Sequence, residues 1–113
     1  MELETEELDG GLLRVNLSGR MDIAGVDAIT VSLAAIAATE NRRLILDLSR
    51  VEFLASIGVR AILQNARAQR LRGGSLVLLA PPPLVEEVLL AAGVLNVVSI
   101  VPDLATARAA LAV

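Results

Sequence analysis

Lysine, histidine, cysteine, tryptophan and tyrosine are all missing from this chain of 113 residues, and Phe53 is its only aromatic residue. Each absence removes a class of chemistry. Without histidine or cysteine there is no Ser–His or Cys–His nucleophile pair and no ordinary zinc site. Without lysine there is neither a Walker-type phosphate loop nor a Schiff base. One phenylalanine leaves no stacking platform for single-stranded nucleic acid. No disulfide can form, which fits a reducing compartment. The ten basic residues are all arginine, and against thirteen acids they leave a net charge of −3. That is the wrong sign for a protein working through nucleic-acid phosphates. No uncharged run is long enough to span a bilayer. The start, Met1-Glu2-Leu3-Glu4-Thr5-Glu6-Glu7, is acidic where a secretory signal would be basic. A cytoplasmic protein is expected, with no cofactor, no nucleic-acid partner and no direct membrane insertion, and an enzyme is not.

What is present is apolar: 55% of the residues are hydrophobic, enough for one domain spanning residues 1–113 with its own core. Glu2 to Leu8 reads as a weak first strand. Asp9-Gly10-Gly11 is a turn, and Leu12 to Ser18 alternates apolar and polar as a half-buried strand does. Asp22 is a plausible helix cap, followed by Val26, Ile29, Leu33 and Ile36 at helical spacing up to about Ala38. A polar link, Glu40-Asn41-Arg42-Arg43, leads to the apolar strand Leu44 to Leu48. A second helix is predicted from about Ile57 to Arg72, closed by Gly73-Gly74. A strand over Ser75 to Ala80, a helix opened by Pro81-Pro82-Pro83 and ended by Gly93, a strand over Val97 to Val101 and a helix capped by Pro102-Asp103 complete the chain. The order β-β-α-β-α-β-α-β-α predicts an α/β fold. Its mixed sheet has an antiparallel hairpin first, then parallel strands joined by right-handed crossovers, with about four helices.

The stretch Val51 to Arg60 carries the functional reading. Ser56 falls where the second helix begins, and two roles are open to it. It caps the helix, or it is a modification site at the helix's positive end, where a phosphate is electrostatically welcome. Asp47 is likewise open to two readings: an ion pair or a backbone cap at a strand end, or a member of a site at the carboxyl ends of the strands. The arginines late in the second helix, Arg67, Arg70 and Arg72, read as complements of its dipole rather than as a binding patch.

The segment Leu46-Asp47-Leu48-Ser49-Arg50-Val51-Glu52-Phe53-Leu54-Ala55-Ser56-Ile57-Gly58 resembles the signature of STAS domains, and more narrowly the bacterial anti-sigma factor antagonists. Leu17-Ser18-Gly19-Arg20-Met21-Asp22, Gly73-Gly74-Ser75-Leu76-Val77-Leu78 and Pro83 to Leu95 match further segments of that family in the same order. The resemblance implies a STAS fold and a binding module in a partner-switching circuit. In such a circuit the unmodified domain binds an anti-sigma factor that is also a GHKL-type serine kinase. Phosphorylation of a serine that matches Ser56 breaks the complex, and a PP2C-type phosphatase resets it. The implied contact surface is Asp22, Ser49, Ala55, Ser56, Ile57, Gly58 and Arg60. Where the family commonly has Asp-Ser-Ser-Gly or Asp-Ser-Thr-Gly, this chain has Ala55-Ser56-Ile57-Gly58, so an isoleucine beside the serine should make the patch more apolar. The alternative is a STAS domain without a switch, serving as a scaffold or transporter subunit. A monomer or weak dimer is expected, because an acidic first strand discourages edge pairing.

Overall fold

The computed structural model describes residues 1–38 and 43–111; of the polar link expected around Glu40, residues 40–42 lie outside them. The chain forms β1 (Glu2–Leu8), β2 (Leu12–Met21), α1 (Ile23–Ala37), β3 (Arg43–Leu54), α2 (Ser56–Leu71), β4 (Ser75–Leu79), α3 (Pro83–Ala91), β5 (Ser99–Val101) and α4 (Leu104–Leu111). A single turn of 3-10 helix, Val94–Asn96, precedes β5. This is the expected order of elements.

The five strands lie side by side in chain order. β1 is antiparallel to β2, and every later pairing is parallel. Parallel neighbours placed consecutively have one consequence: right-handed crossovers all step the same way, so their helices land on one face. That is observed. Val26, Ile29 and Leu33 of α1, Ile62 and Ala66 of α2, and Val85 and Leu89 of α3 share one core with Leu13, Val15, Leu17, Leu44, Leu46 and Leu78. The intervening strand residues, Leu12, Ile45, Val77, Leu79 and Val101, point the other way and pack on Ala107 and Leu111 of α4. Strands β3 and β4 are therefore apolar at nearly every position, because both of their faces are covered.

Asp47 is the exception on the α4 face. Its Oδ2 accepts from Arg14 Nη2 at 2.6 Å and Nε at 3.1 Å, and its Oδ1 accepts from the backbone N–H of Ser49 at 2.9 Å. Burial pushes this carboxyl's pKa up, but the bonds from Ser49 and Arg14 outweigh it and hold the group below its usual value. Of the two readings open for Asp47, the structure shows the ion pair. It sits in mid-strand, seven residues before β3 ends at Leu54, roughly 23 Å along the chain.

Strands β2 and β3 run past their apolar stretches. β2 continues from Ser18 to Met21 and β3 from Leu48 to Leu54, because the two keep pairing beyond the end of β4: Arg50 faces Ser18, Phe53 faces Arg20 and Leu54 faces Met21. Two register shifts, between Asn16 and Ser18 and between Gly19 and Arg20, interrupt this extension. Such bulges bend and twist a strand pair. The extension ends at the candidate site.

Candidate functional site

Two chain reversals meet at the carboxyl ends of β2 and β3. One leads through Asp22 into α1, the other through Ala55 into α2. They are tied by the backbone, with Ala55 N–H donating to Met21 O at 3.1 Å. Asp22 is the cap that the sequence predicts: its Oδ1 accepts from Gly25 N–H at 2.8 Å. That bond, opposed by a little burial and assisted by Arg20, holds the Asp22 carboxyl below its usual pKa. Arg20 reaches Asp22 Oδ2 through Nε at 3.6 Å and lays its guanidinium 4.2 Å from the centre of the Phe53 ring. Arg20 thus joins the two reversals from outside, through an ion pair on one side and a cation–π contact on the other.

Glycine lets both helices approach this junction. A Cβ on Gly25 would overlap the carbonyl oxygen of Arg20. On Gly58 it would come within 2.6 Å of Leu54 Cδ1, 2.9 Å of Met21 Cβ and 3.1 Å of Met21 O. With Gly58 turned inward against Met21, Ser56 and Ile57 are turned outward.

The structure corrects the expected cap of α2. Ala55 occupies the cap position, in an extended conformation, and makes no side-chain cap bond. Ser56 is the first residue of the helix itself and is exposed. The carbonyl of Ala55 accepts from Gly58 N–H at 2.9 Å and Val59 N–H at 3.2 Å, so the backbone does the capping. The first turn of α2 holds no acidic residue. Its positive end meets no carboxylate of its own helix.

Exposed apolar side chains stand at this end of α2. Ile23 is 74% exposed, Phe53 40% and Ile57 37%. Ile57 and Ile23 flank one depression of about 370 Å³, together with Val26, Asp27 and Thr30. Arg60 is exposed one turn further along α2, on the wall of a longer groove between α1 and α2.

Of the residues singled out in the sequence, Asp22, Ala55, Ser56, Ile57 and Arg60 gather here. Gly58 gathers with them but is buried, and its part is to seat the helix. Ser49 lies apart. It stands five residues before Leu54 on β3, roughly 16 Å back. There it borders a different depression, of about 710 Å³, with Pro82, Pro83 and Leu84. Sequence reasoning missed Ile23, Arg20 and the cross-strand contact of Arg20 with Phe53. Ile23 follows a recognisable cap and lies outside the helix's buried stripe, which is a usable signal. The pairing of Arg20 with Phe53 depends on the bulged register and has none. Among the described residues, no three of Asp, Glu, His or Cys come together as a metal site. No described helix is long and apolar enough to cross a membrane.

The chain matches the STAS domain family over residues 2–107. It is 33% identical over 110 residues to BtrV of Bordetella bronchiseptica, whose name describes an anti-sigma factor antagonist; the match covers 97% of this chain and 94% of that one. Among solved structures, an anti-sigma factor antagonist from Mycobacterium paratuberculosis superposes with a TM-score of 0.87 at 25% identity, covering 97% of this chain and 92% of the other. The Bacillus cell fate determinant SpoIIAA, in its phosphorylated form, shares the fold with a TM-score of 0.66 at 21% identity, covering 90% and 93%.

Proposed function

The chain belongs to the STAS domain family, and from that membership we propose that it is an anti-sigma factor antagonist controlled by phosphorylation of Ser56. Unmodified, it binds an anti-sigma factor that is also a GHKL-type serine kinase. The kinase phosphorylates Ser56 and lets go, and a PP2C-type phosphatase restores the binding form. The domain itself does no chemistry.

One observation carries this reading: Ser56 is exposed at the acid-free N-terminus of α2, among the exposed side chains of Ile23, Phe53 and Ile57. A kinase can reach such a hydroxyl, and a docked partner must cover it. A phosphate there adds about 1.5–2 negative charges. In the free domain the helix dipole tolerates them. In the complex they would be buried among apolar side chains, and burying an unpaired charge costs several kcal/mol. Since about 1.4 kcal/mol is a factor of ten in affinity, part of that cost suffices to empty the complex. No rearrangement of the fold is required. The relatives described as anti-sigma factor antagonists, and the existence of SpoIIAA in a phosphorylated form, support the same reading.

The contact residues are Asp22, Ala55, Ser56, Ile57 and Arg60, seated by Gly58, with Ser49 reached only by a partner that extends along β3. The test is isothermal titration against the purified cognate kinase. Ser56→Ala should bind as the unmodified protein does, and Ser56→Asp should bind at least about tenfold more weakly. Equal affinities would overturn the reading, as would mass spectrometry showing Ser56 unmodified after incubation with the kinase and ATP.

A further inference from the structure

The groove between α1 and α2 holds about 480 Å³ and runs from Ile57, beside Ser56, to Arg72 at the far end of α2. It exists because facing positions on the two helices are small: Ala34 and Ala38 on one side, Ala61 and Ala68 on the other. Its floor is the buried edge of the core, Ile29 and Leu33. Two of the polar side chains along it are turned onto their own helices, while Gln64 stands exposed on its wall. Thr30 Oγ1 donates to Val26 O at 2.6 Å, and Asn65 Nδ2 donates to Ala61 O at 2.7 Å. Apart from Gln64 and the arginines, the groove therefore offers methyl and methylene surface.

Its rim is charged with one sign. α2 carries three arginines, Arg60, Arg67 and Arg70, with Arg72 just beyond its end, and no acidic residue. Arg60 and Arg72 line the groove, at its two ends. Arg70 is occupied with the carbonyl of Val97, outside it. Arg60 has no ion-pair partner among the described residues. The only acid on α1 is Asp27, in the neighbouring depression. An apolar trough about 22 Å long, the length of fifteen helical residues, with arginine at both ends, complements one kind of occupant.

We propose that this groove receives an amphipathic helix of the partner protein, apolar along the buried stripe and acidic along its flanks. The proposal rests on the reading of the Ser56 face as a docking surface, which it extends along α2. It also sharpens the switch. A phosphate on Ser56 lies one helical turn from Arg60, where the Cβ direction of a helix brings residue i+4 back toward residue i. The phosphate would both repel the acidic flank and compete for Arg60.

The probe is a helix-constrained peptide of about sixteen residues, built of leucine on one face and glutamate on the others; a constraint is needed because isolated helices of that length are marginal. It is titrated into the full-length, isotope-labelled protein and followed by amide chemical shifts, beside a counterpart with every glutamate replaced by lysine. The acidic peptide should shift Thr30, Ile57, Gln64 and Ala68, weaken with added salt, and bind at least tenfold more weakly to Arg60→Glu/Arg72→Glu. The lysine peptide should not bind. Equal binding of the two peptides, shifts centred on α3 instead, or concentration-dependent shifts at the groove without peptide, marking self-association, would overturn the proposal. Acidic-peptide binding that Ser56→Asp leaves unchanged would keep the groove and remove the switch. Absent peptide binding, with Ser56→Asp still blocking the kinase, would keep the switch and remove the groove.

Discussion

Ser56 and Gly58 are two residues apart and do opposite work. Ser56 makes no cap bond and projects outward, so its removal should cost the fold little: Ser56→Ala is expected to lie within about 0.5 kcal/mol of the parent in urea denaturation. Gly58 holds α2 against Met21, where a methyl group meets backbone-anchored atoms at 2.9 and 3.1 Å. Gly58→Ala should destabilise by about 1–3 kcal/mol, the usual cost of overpacking, and should disturb the Ser56 patch as well. The contrast matters functionally. A hydroxyl with a structural duty could not be modified without loosening the helix, whereas this one is unencumbered. The sequence places a serine at the helix start, and the choice between cap and modification site turns on a single position. Ala55 takes the cap because its N–H is already bound to Met21 O, a contact between residues 34 apart in the chain.

At the scale of elements, the extended pair β2 and β3 carries the site beyond the rest of the sheet and is braced in mid-strand by Arg14 and Asp47. The apolar alternation of Leu12 to Ser18 and the run Leu44 to Leu48 are legible in the sequence. The continuations to Met21 and Leu54 are not, because residues such as Arg20, Glu52 and Phe53 are strand residues only by virtue of their partners. Asp47 is 4% exposed, so removing its counter-charge leaves a buried carboxylate. Arg14→Met should destabilise by about 2–4 kcal/mol, toward the lower end of the buried-pair range because Arg14 is partly in solvent. The pH dependence has a definite sign. The folded pKa of Asp47 is depressed, so its contribution is complete above the unfolded value of about 3.9 and is lost as pH falls through the folded value. Denaturation midpoints of Asp47→Asn measured at neutral pH and below pH 4 should fall less on acidification than those of the parent.

Across the whole molecule, three crossover helices share one face of the sheet and α4 alone covers part of the other. The second core is small: Leu12, Ile45, Val77, Leu79 and Val101 against Ala107 and Leu111. Its integrity rests on few side chains, and Leu111→Ala should cost about 2–3 kcal/mol, the low end for a buried leucine because the end of a terminal helix can relax into the space. Thermal or urea unfolding checks this, and the Ser56 face, on the α1–α2 side, should keep its partner affinity in the variant. A loss of partner binding parallel to the loss of stability would show that the two faces are coupled.

The chain's composition and periodicity by themselves determined the order of elements, the two-sided burial of β3 and β4, the Asp22 cap and the exclusion of histidine, cysteine and lysine chemistry, since these depend on local preference and on which residues are absent. Tertiary structure alone decided that Asp47 serves an ion pair, that Ser49 faces another depression, that Ala55 displaces Ser56 from the cap, and that Arg20, Ile23 and Phe53 join the patch. Each of these depends on the register between strands and on how closely a helix can approach the residue behind it. Such distances are set between segments remote in sequence, and no local pattern records them.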